Sequence, residues 1–275
     1  MAVAVDTLRV VYAALAEDVG AGDVTTEATV DVDASGEAEL LLKEPGVVCG
    51  LDAAEAVFRA LDDDVRFEAL VDEGAVVEGV TVVARVAGLQ RSILTGERTA
   101  LNFLGRLSGI ATLTRRYVDA VEGTGAAILD TRKTTPGLRV LEKQAVACGG
   151  GRNHRLALDD GVLVKDNHLR AAGSVDAAVE RLRDVTPLPI EVECDTVEQV
   201  AEALDARADG LLLDNMSLEE LRAAVALTRG RARLEASGGI TLENVRAVAE
   251  TGVDEISIGA LTHSARSLDV SLELT

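Results

Sequence analysis

From residue 126 onward, six apolar runs of five or six residues recur with helical segments between most of them. This alternation constrains the fold more than any other feature of the chain. The runs are AAILD (126–130), GVLVKD (161–166), PIEVEC (189–194), GLLLDN (210–215), RLEASG (233–238) and EISIGA (255–260). A strand buried on both faces reads as a continuous hydrophobic run, and strands alternating with helices predict a parallel sheet. Between them, Val197, Val200, Ala201 and Leu204 follow the i, i+3, i+4, i+7 spacing of an amphipathic helix. Thr196 with Gln199 and Ser217 with Glu220 have the spacing of capping boxes, and Gly230 and Gly252 stand where helices should end. Each run finishes on something polar or small: Asp130 followed by Arg132, then Lys165, Glu193, Asp214, Ser237 and Gly259. Polar groups at all six ends favour a closed α/β barrel, whose strand C-termini ring one mouth, over an open sheet with a single switch point. Neither GxGxxG nor a GxxxxGK phosphate loop occurs, which weighs against a Rossmann or P-loop nucleotide site.

The preceding residues read differently. Residues 6–17 predict a short helix, followed by strand-like runs at 36–44, 47–50, 65–70, 75–79 and 80–88. A helix over 52–61 lies among them, with Ala53, Val57, Ala60 and Leu61 on one face. Short β runs with a helix on one side indicate an α+β domain. A long helical region, 91–123, carries Leu94, Leu101, Leu104, Leu107 and Ile110 as its apolar stripe. Gly105 and Gly109 either bend it or admit another backbone. The expected division is an N-terminal α+β domain over 1–112 and a six-stranded α/β barrel over 113–264. A length of 275 residues supports two modest domains. No apolar run reaches membrane-spanning length, and the N-terminus lacks the basic start and sustained apolar segment of a signal peptide. The three cysteines, Cys49, Cys148 and Cys194, lack CxxC spacing, which argues against a disulfide framework or structural zinc. A cytoplasmic enzyme is expected.

Charge points to the ligand. The chain carries a formal net charge of −20. Between Asp130 and His168, however, seven cations (Arg132, Lys133, Arg139, Lys143, Arg152, Arg155, Lys165) face five carboxylates, leaving that window at +2. A cationic island in so acidic a chain predicts a pocket for an anionic ligand. The acidic remainder excludes a nucleic-acid partner, which needs a basic face. It also predicts a halophilic protein, because salt screens carboxylate repulsion.

The strand ends would build a bipolar pocket. Arg132, Lys133, His154, Arg155 and Lys165 come from the first two ends and their loops, and suit a substrate with several carboxylates. Glu193 and Asp214 come from the next two. They could hold Mg²⁺ on a diphosphate or stabilise a developing positive charge. Glycine turns at Ser237–Gly238–Gly239 and Ile258–Gly259–Ala260 offer N–H groups to a phosphate. Competing readings stay open residue by residue. Glu191 shares a strand face with Glu193, Asp214 could simply cap a helix, and His168 could be a helix-start residue. His263 reads as structural, and Cys148 and Cys194 as core or loop thiols.

Several motifs together are recognisable: EDVGAGDVTTEA, GERTALNFLGRLSGIAT, DTRKTTPGLRVLEKQAVACGGGRNHRLALDDGVLVKDNH, EVEC, LLLDN, EASGGI and GVDEISIGALTHSARSLDVSLEL. In this order they resemble the quinolinate phosphoribosyltransferase family, over most of the chain. The resemblance implies transfer of phosphoribosyl from 5-phosphoribosyl 1-diphosphate to quinolinate with Mg²⁺ as cofactor. The products would be nicotinate mononucleotide, diphosphate and CO₂, in NAD biosynthesis. It implies that Arg132, Lys133, His154, Arg155 and Lys165 bind the quinolinate carboxylates. Glu193 and Asp214 would sit near the ribose, diphosphate and metal, and the two glycine turns would hold phosphate. It further implies an N-terminal α/β sandwich domain to which a C-terminal segment, 265–275, returns, and a homodimer or higher oligomer in which Arg98 reaches the neighbouring subunit's site. The alternatives are a same-fold paralogue associated with molybdenum transport, an aldolase using Lys165 as a Schiff base, and a non-catalytic module.

Overall fold

The structure is a computed structural model, and it describes residues 5–275. In chain order the first elements are α1 (Val5–Val19), α2 (Val24–Thr29), β1 (Ser35–Leu42), β2 (Gly46–Val47), α3 (Leu51–Leu61), β3 (Arg66–Ala69), β4 (Val76–Val77), β5 (Thr81–Leu89) and α4 (Gln90–Ala120). The alternating part follows: β6 (Ala127–Leu129), α5 (Arg139–Cys148), β7 (Val162–Val164), α6 (Asp166–Ala172), α7 (Val175–Val185), β8 (Ile190–Cys194), α8 (Val197–Asp205) and β9 (Gly210–Asp214). The last elements are α9 (Leu218–Thr228), β10 (Arg233–Ser237), α10 (Val245–Ala249), β11 (Glu255–Ser257), α11 (Ala260–His263) and β12 (Val270–Leu274).

Two compact units result. The first contains described residues up to 115, with 134–150 and 261–275; the second contains 116–133 and 151–260. The expected boundary near residue 112 thus falls close to a division inside α4, and the stretch 134–150 belongs with the first unit.

The first unit is built on an antiparallel sheet of order β12-β1-β5-β3. Leu40 and Leu42 alternate inward from β1 and are fully buried with Val83, Val86, Phe58 and Ile93, the period-2 pattern of a half-covered sheet. The chain's last strand lies beside β1, with Leu40 opposite Leu272. Helix α4 resolves the two glycine readings in favour of close approach. A Cβ on Gly105 would lie 2.8 Å from the Leu268 carbonyl oxygen, and one on Gly109 only 1.9 Å from that of Arg266. Residues 134–150 are held by Glu142, fully buried, which accepts from Thr135 N–H at 3.0 Å, Thr135 Oγ1 at 2.8 Å and Arg106 at 2.7 Å.

The second unit is the strand–helix alternation. Its six strands run parallel in the order β6-β11-β10-β9-β8-β7, and each is one of the six apolar runs. Arg152 continues the β6 edge through a parallel bridge to Leu129. Ile128, Ile190, Leu211, Leu213 and Ile256 are at most 2 % exposed, as expected for strands covered on both faces. Ser217 and Glu220 form a reciprocal capping box at the start of α9. Thr196 accepts the N–H of Gln199 at α8, but the Gln199 side chain takes the Asp195 N–H instead. Among the described residues, no helix is long and apolar enough to cross a membrane.

Candidate active site

The C-terminal ends of the six strands surround a cavity of about 260 Å³ in the second unit. Its wall contains Arg132, Lys133, His154, Arg155 and Lys165 from the first two loops, Glu193 and Asp214 from β8 and β9, and Ser237 from β10. Geometry therefore gathers, in one place, residues spread over more than a hundred positions of sequence. Arg98 is exposed on α4 in the first unit, where it lines a larger cavity of about 1010 Å³. Gly238, Gly239, Ile258, Gly259 and Ala260 follow β10 and β11 and lie outside the wall of the smaller cavity. The Ile258 N–H is already used by the Leu129 carbonyl at 2.9 Å. At the other turn, Gly238 has φ of +88°, and a Cβ there would stand 2.2 Å from Asn215 Oδ1. Only glycine fits.

A direct contact joins the cationic and acidic halves. Lys165 Nζ donates to Glu193 Oε2 at 2.6 Å, with the lysine side chain 47 % exposed and the glutamate 17 %. Asp214 accepts from its neighbour Asn215 Nδ2 at 2.7 Å. Arg155 donates to the Gly161 carbonyl at 2.9 Å; burial, followed by the nearby charge of Arg132, lowers its pKa from the ordinary value.

Beneath this mouth lies a second, buried layer of charge. Asp130, fully buried, accepts the His154 N–H at 2.9 Å. His154 Nδ1 accepts the Arg155 N–H at 2.7 Å, which assigns its ring proton to Nε2. Nε2 faces Glu191 Oε2 at 3.3 Å and Glu235 Oε2 at 3.4 Å. Glu191 also takes Arg233 Nη2 at 3.0 Å, and Arg233 Nε reaches Glu255 at 2.8 Å. Burial pushes the Glu191 carboxyl up, but hydrogen bonding and charge from His154 and Arg233 outweigh it and hold the carboxyl below its ordinary value. Glu235 is fully buried and neither of its oxygens has a well-formed hydrogen bond. Burial, then the adjacent Glu191 charge, pushes it up to about 7. The His154–Glu191–Glu235 trio has ligand-type atoms within 4.8 Å of one another. Arg233 on Glu191 and the His154 ring between the two carboxylates make it a buried polar floor beneath the mouth.

Sequence reasoning missed Glu235, Ser257 and Thr131, all in the cavity wall. The signal for Glu235 was present. It lies two residues before Ser237 on β10, the same parity that sets Glu191 beneath Glu193 on β8. The remaining cations of the basic window do other work. Arg139 donates to Thr134 Oγ1 at 3.0 Å and Lys143 is 2 % exposed in the first unit. His168 accepts the Lys165 N–H at 3.0 Å in the first turn of α6, a helix-start role. Cys194 is fully buried, and burial pushes its thiol up to about 12, which excludes a thiolate nucleophile at neutral pH.

A cation-lined barrel mouth with two carboxylates opposite defines a site for a small polyanion. Comparison with known proteins narrows this. Residues 23–108 match the N-terminal domain of quinolinate phosphoribosyl transferase, and residues 110–273 match its C-terminal domain. A probable nicotinate-nucleotide pyrophosphorylase (carboxylating) of Synechocystis is 48 % identical over 265 residues, covering 94 % of this chain and 90 % of that one. The nicotinate-nucleotide pyrophosphorylase (carboxylating) of Mycobacterium leprae is 45 % identical, covering 98 % and 96 %. The solved nicotinate-nucleotide pyrophosphorylase of Francisella tularensis superposes with a TM-score of 0.94 at 39 % identity, covering 98 % and 96 %. The chain belongs to the quinolinate phosphoribosyltransferase family.

Proposed function

We infer that this chain is an enzyme of NAD biosynthesis. It transfers the phosphoribosyl group of 5-phosphoribosyl 1-diphosphate to quinolinate and releases diphosphate and CO₂, forming nicotinate mononucleotide. The observation that carries this reading is the convergence of Arg132, Lys133, Arg155 and Lys165 on one cavity of about 260 Å³, opposite Glu193 and Asp214. That volume is below the ~300–1,000 Å³ of sites for drug-sized ligands, and suits one small aromatic diacid with the sugar phosphate at the open rim. The relatives described above are named for the pyrophosphorylase reaction, which supports this reading and not the molybdenum-transport paralogue.

The cations seat the quinolinate carboxylates and His154 completes that wall. This fixes the ring nitrogen toward the ribose, and positioning supplies most of the rate. The nitrogen attacks the anomeric carbon as diphosphate departs. Glu193 and Asp214 stabilise the positive charge that grows on the sugar. The ring, now quaternised, accepts the electron pair left when the adjacent carboxylate leaves as CO₂, and that carbon takes a proton. The turns at Ser237–Gly239 and Ile258–Ala260 hold the phosphate.

The donor set at the rim consists of carboxylate oxygens, as Mg²⁺ prefers, and Glu193 is engaged by Lys165 while Asp214 bonds only its neighbour Asn215 among the described residues. Asp214, with Glu193, would hold Mg²⁺ on the diphosphate, where the ion neutralises leaving-group charge. Arg98 fits the role of a residue lent to a second subunit. It is exposed, and no ion pair engages it among the described residues. The working form is then at least a homodimer in the cytoplasm, adapted to high salt. Raising KCl from about 0.1 to about 3 M should raise Tm, as expected when carboxylate repulsion is screened.

The test is product formation from quinolinate and 5-phosphoribosyl 1-diphosphate with Mg²⁺ in molar KCl, following quinolinate loss and CO₂ release. Mg²⁺-dependent turnover is expected. A folded protein inactive on quinolinate would overturn the reading, and nicotinate as the accepted substrate would replace it.

A further inference from the structure

The first unit contains a thiol pair that the active site does not use. Cys49 Sγ and Cys148 Sγ stand 3.1 Å apart, although 99 positions separate them in sequence. Cys49 is fully buried between β2 and α3. Its backbone is fixed on both sides by Ser108, whose Oγ accepts the Cys49 N–H at 3.0 Å and donates to the Cys49 carbonyl at 3.0 Å. Cys148 ends α5 and is partly exposed. Close packing holds it there. A Cβ on Gly149 would meet the Ala111 carbonyl oxygen at 2.4 Å, and one on Gly74 would meet the Cys148 carbonyl oxygen at 3.2 Å.

We propose that Cys49 and Cys148 form a reversible disulfide, closing under oxidising conditions and joining the start of α3 to the end of α5. The two sulfurs need to approach by about 1 Å to reach the ~2.05 Å of the bond, and neither backbone has far to move. A zinc site is the other chemistry that two thiols and a carboxylate allow, since Glu73 Oε2 lies 3.9 Å from Cys148 Sγ. Two observations go against it. Thiolates sharing a tetrahedral zinc sit about 3.8 Å apart, from Zn–S bonds of ~2.3 Å, and this pair is closer. Both Glu73 oxygens are already taken by the Gly50 N–H at 2.9 and 3.0 Å, and Oε1 also receives the Asp52 N–H at 3.3 Å. They cap α3, whose N-cap residue has no side chain to do so.

The chemistry balances with a low-molecular-weight disulfide as oxidant. Cys148, the accessible member, attacks it as the thiolate and releases one thiol, leaving a mixed disulfide. The Cys49 sulfur then attacks Cys148 Sγ and releases the second thiol. Two electrons pass from the cysteine pair to the oxidant, and the two cysteine protons end on the two released thiols. The bond to Cys148, then burial and the Glu73 charge, raise the Cys49 pKa. This makes the second step slow but intramolecular.

The experiment incubates the full-length protein with excess oxidised glutathione, blocks remaining thiols by alkylation and measures intact mass before and after dithiothreitol. Without glutathione attached, the protein should be lighter than its reduced form by about two mass units, the loss of two hydrogens. Peptides containing Cys49 and Cys148 should be joined, with Cys194 alone left to alkylate after unfolding. Three results would overturn the proposal: a stable glutathione adduct on Cys148 with Cys49 free, both thiols unchanged, or stoichiometric zinc in the reduced protein that is lost from Cys49→Ser and Cys148→Ser. The wild-type peptide map decides the matter even if a serine variant fails to fold.

Discussion

Replacing Lys165 with alanine separates what the cavity contributes to stability from what it contributes to catalysis. The lysine is about half exposed and pairs with Glu193, 17 % exposed, at 2.6 Å. An ion pair so open to water is worth roughly 0–1 kcal/mol to the fold. For a chain of this length, Tm should therefore fall by no more than about 4 °C. The effect on turnover is of another order. A charge-assisted hydrogen bond to an anionic substrate contributes about 1.5–3 kcal/mol. Its loss also leaves Glu193 as an unneutralised negative charge facing that substrate. Together these give about 3–4 kcal/mol, or a 10²–10³-fold fall in kcat/KM. The assay is quinolinate consumption under saturating 5-phosphoribosyl 1-diphosphate, with circular dichroism and thermal melting on the same preparation. A variant that melts like the wild type and keeps kcat/KM within about threefold of it would show the cationic half to be misassigned.

Three further outcomes follow from the packing. Arg106→Ala strands the fully buried Glu142 carboxylate, at a cost of about 3–5 kcal/mol, and should lower Tm by roughly 10 °C in a melting experiment. Gly109→Ala places a methyl 1.9 Å from the Arg266 carbonyl oxygen, so α4 and residues 266–268 must part, and denaturant titration should show a fall of about 1–3 kcal/mol in stability. Glu235, raised to about 7 from an ordinary 4.5, favours the fold fully below pH 4.5 and loses that contribution as pH rises through 7. Glu235→Gln should therefore gain stability relative to wild type between pH 5 and pH 8, measured by denaturant midpoints at both values.

Much of this was readable in advance, for identifiable reasons. Buried parallel strands cannot hide their hydrophobicity, so all six runs became the six strands, and Arg132, Lys165, Glu193, Asp214 and Ser237 at five of their ends line the cavity, while Gly259 at the sixth does not. Charge counting pointed to the stretch that lines the cavity but could not sort its cations. Arg139 and Lys143 share the basic window with Arg132 and Lys133, yet they fold into the other unit. What assigns them there is Glu142 with Arg106, a contact spanning 36 positions that no local pattern announces. The partnership of Lys165 with Glu193 was equally hidden, since sequence placed them in opposite halves of the pocket and only the parallel pairing of β7 with β8 sets their ends side by side. The Cys49–Cys148 approach was invisible for the same reason: spacing motifs detect only neighbours.

The placement of β12 has a consequence for how the chain is made. Synthesis proceeds from the N-terminus, so β1 and β5 leave the ribosome long before Val270–Leu274 exist. Until they do, β1 is an open edge, its N–H and C=O groups unpaired along a strand rich in leucine. The first unit, begun first, is thus finished last, after the entire barrel has been translated. A nascent chain of this architecture carries an adhesive edge through most of its synthesis, and stalling or truncation a few residues short of the end would leave that edge exposed for good.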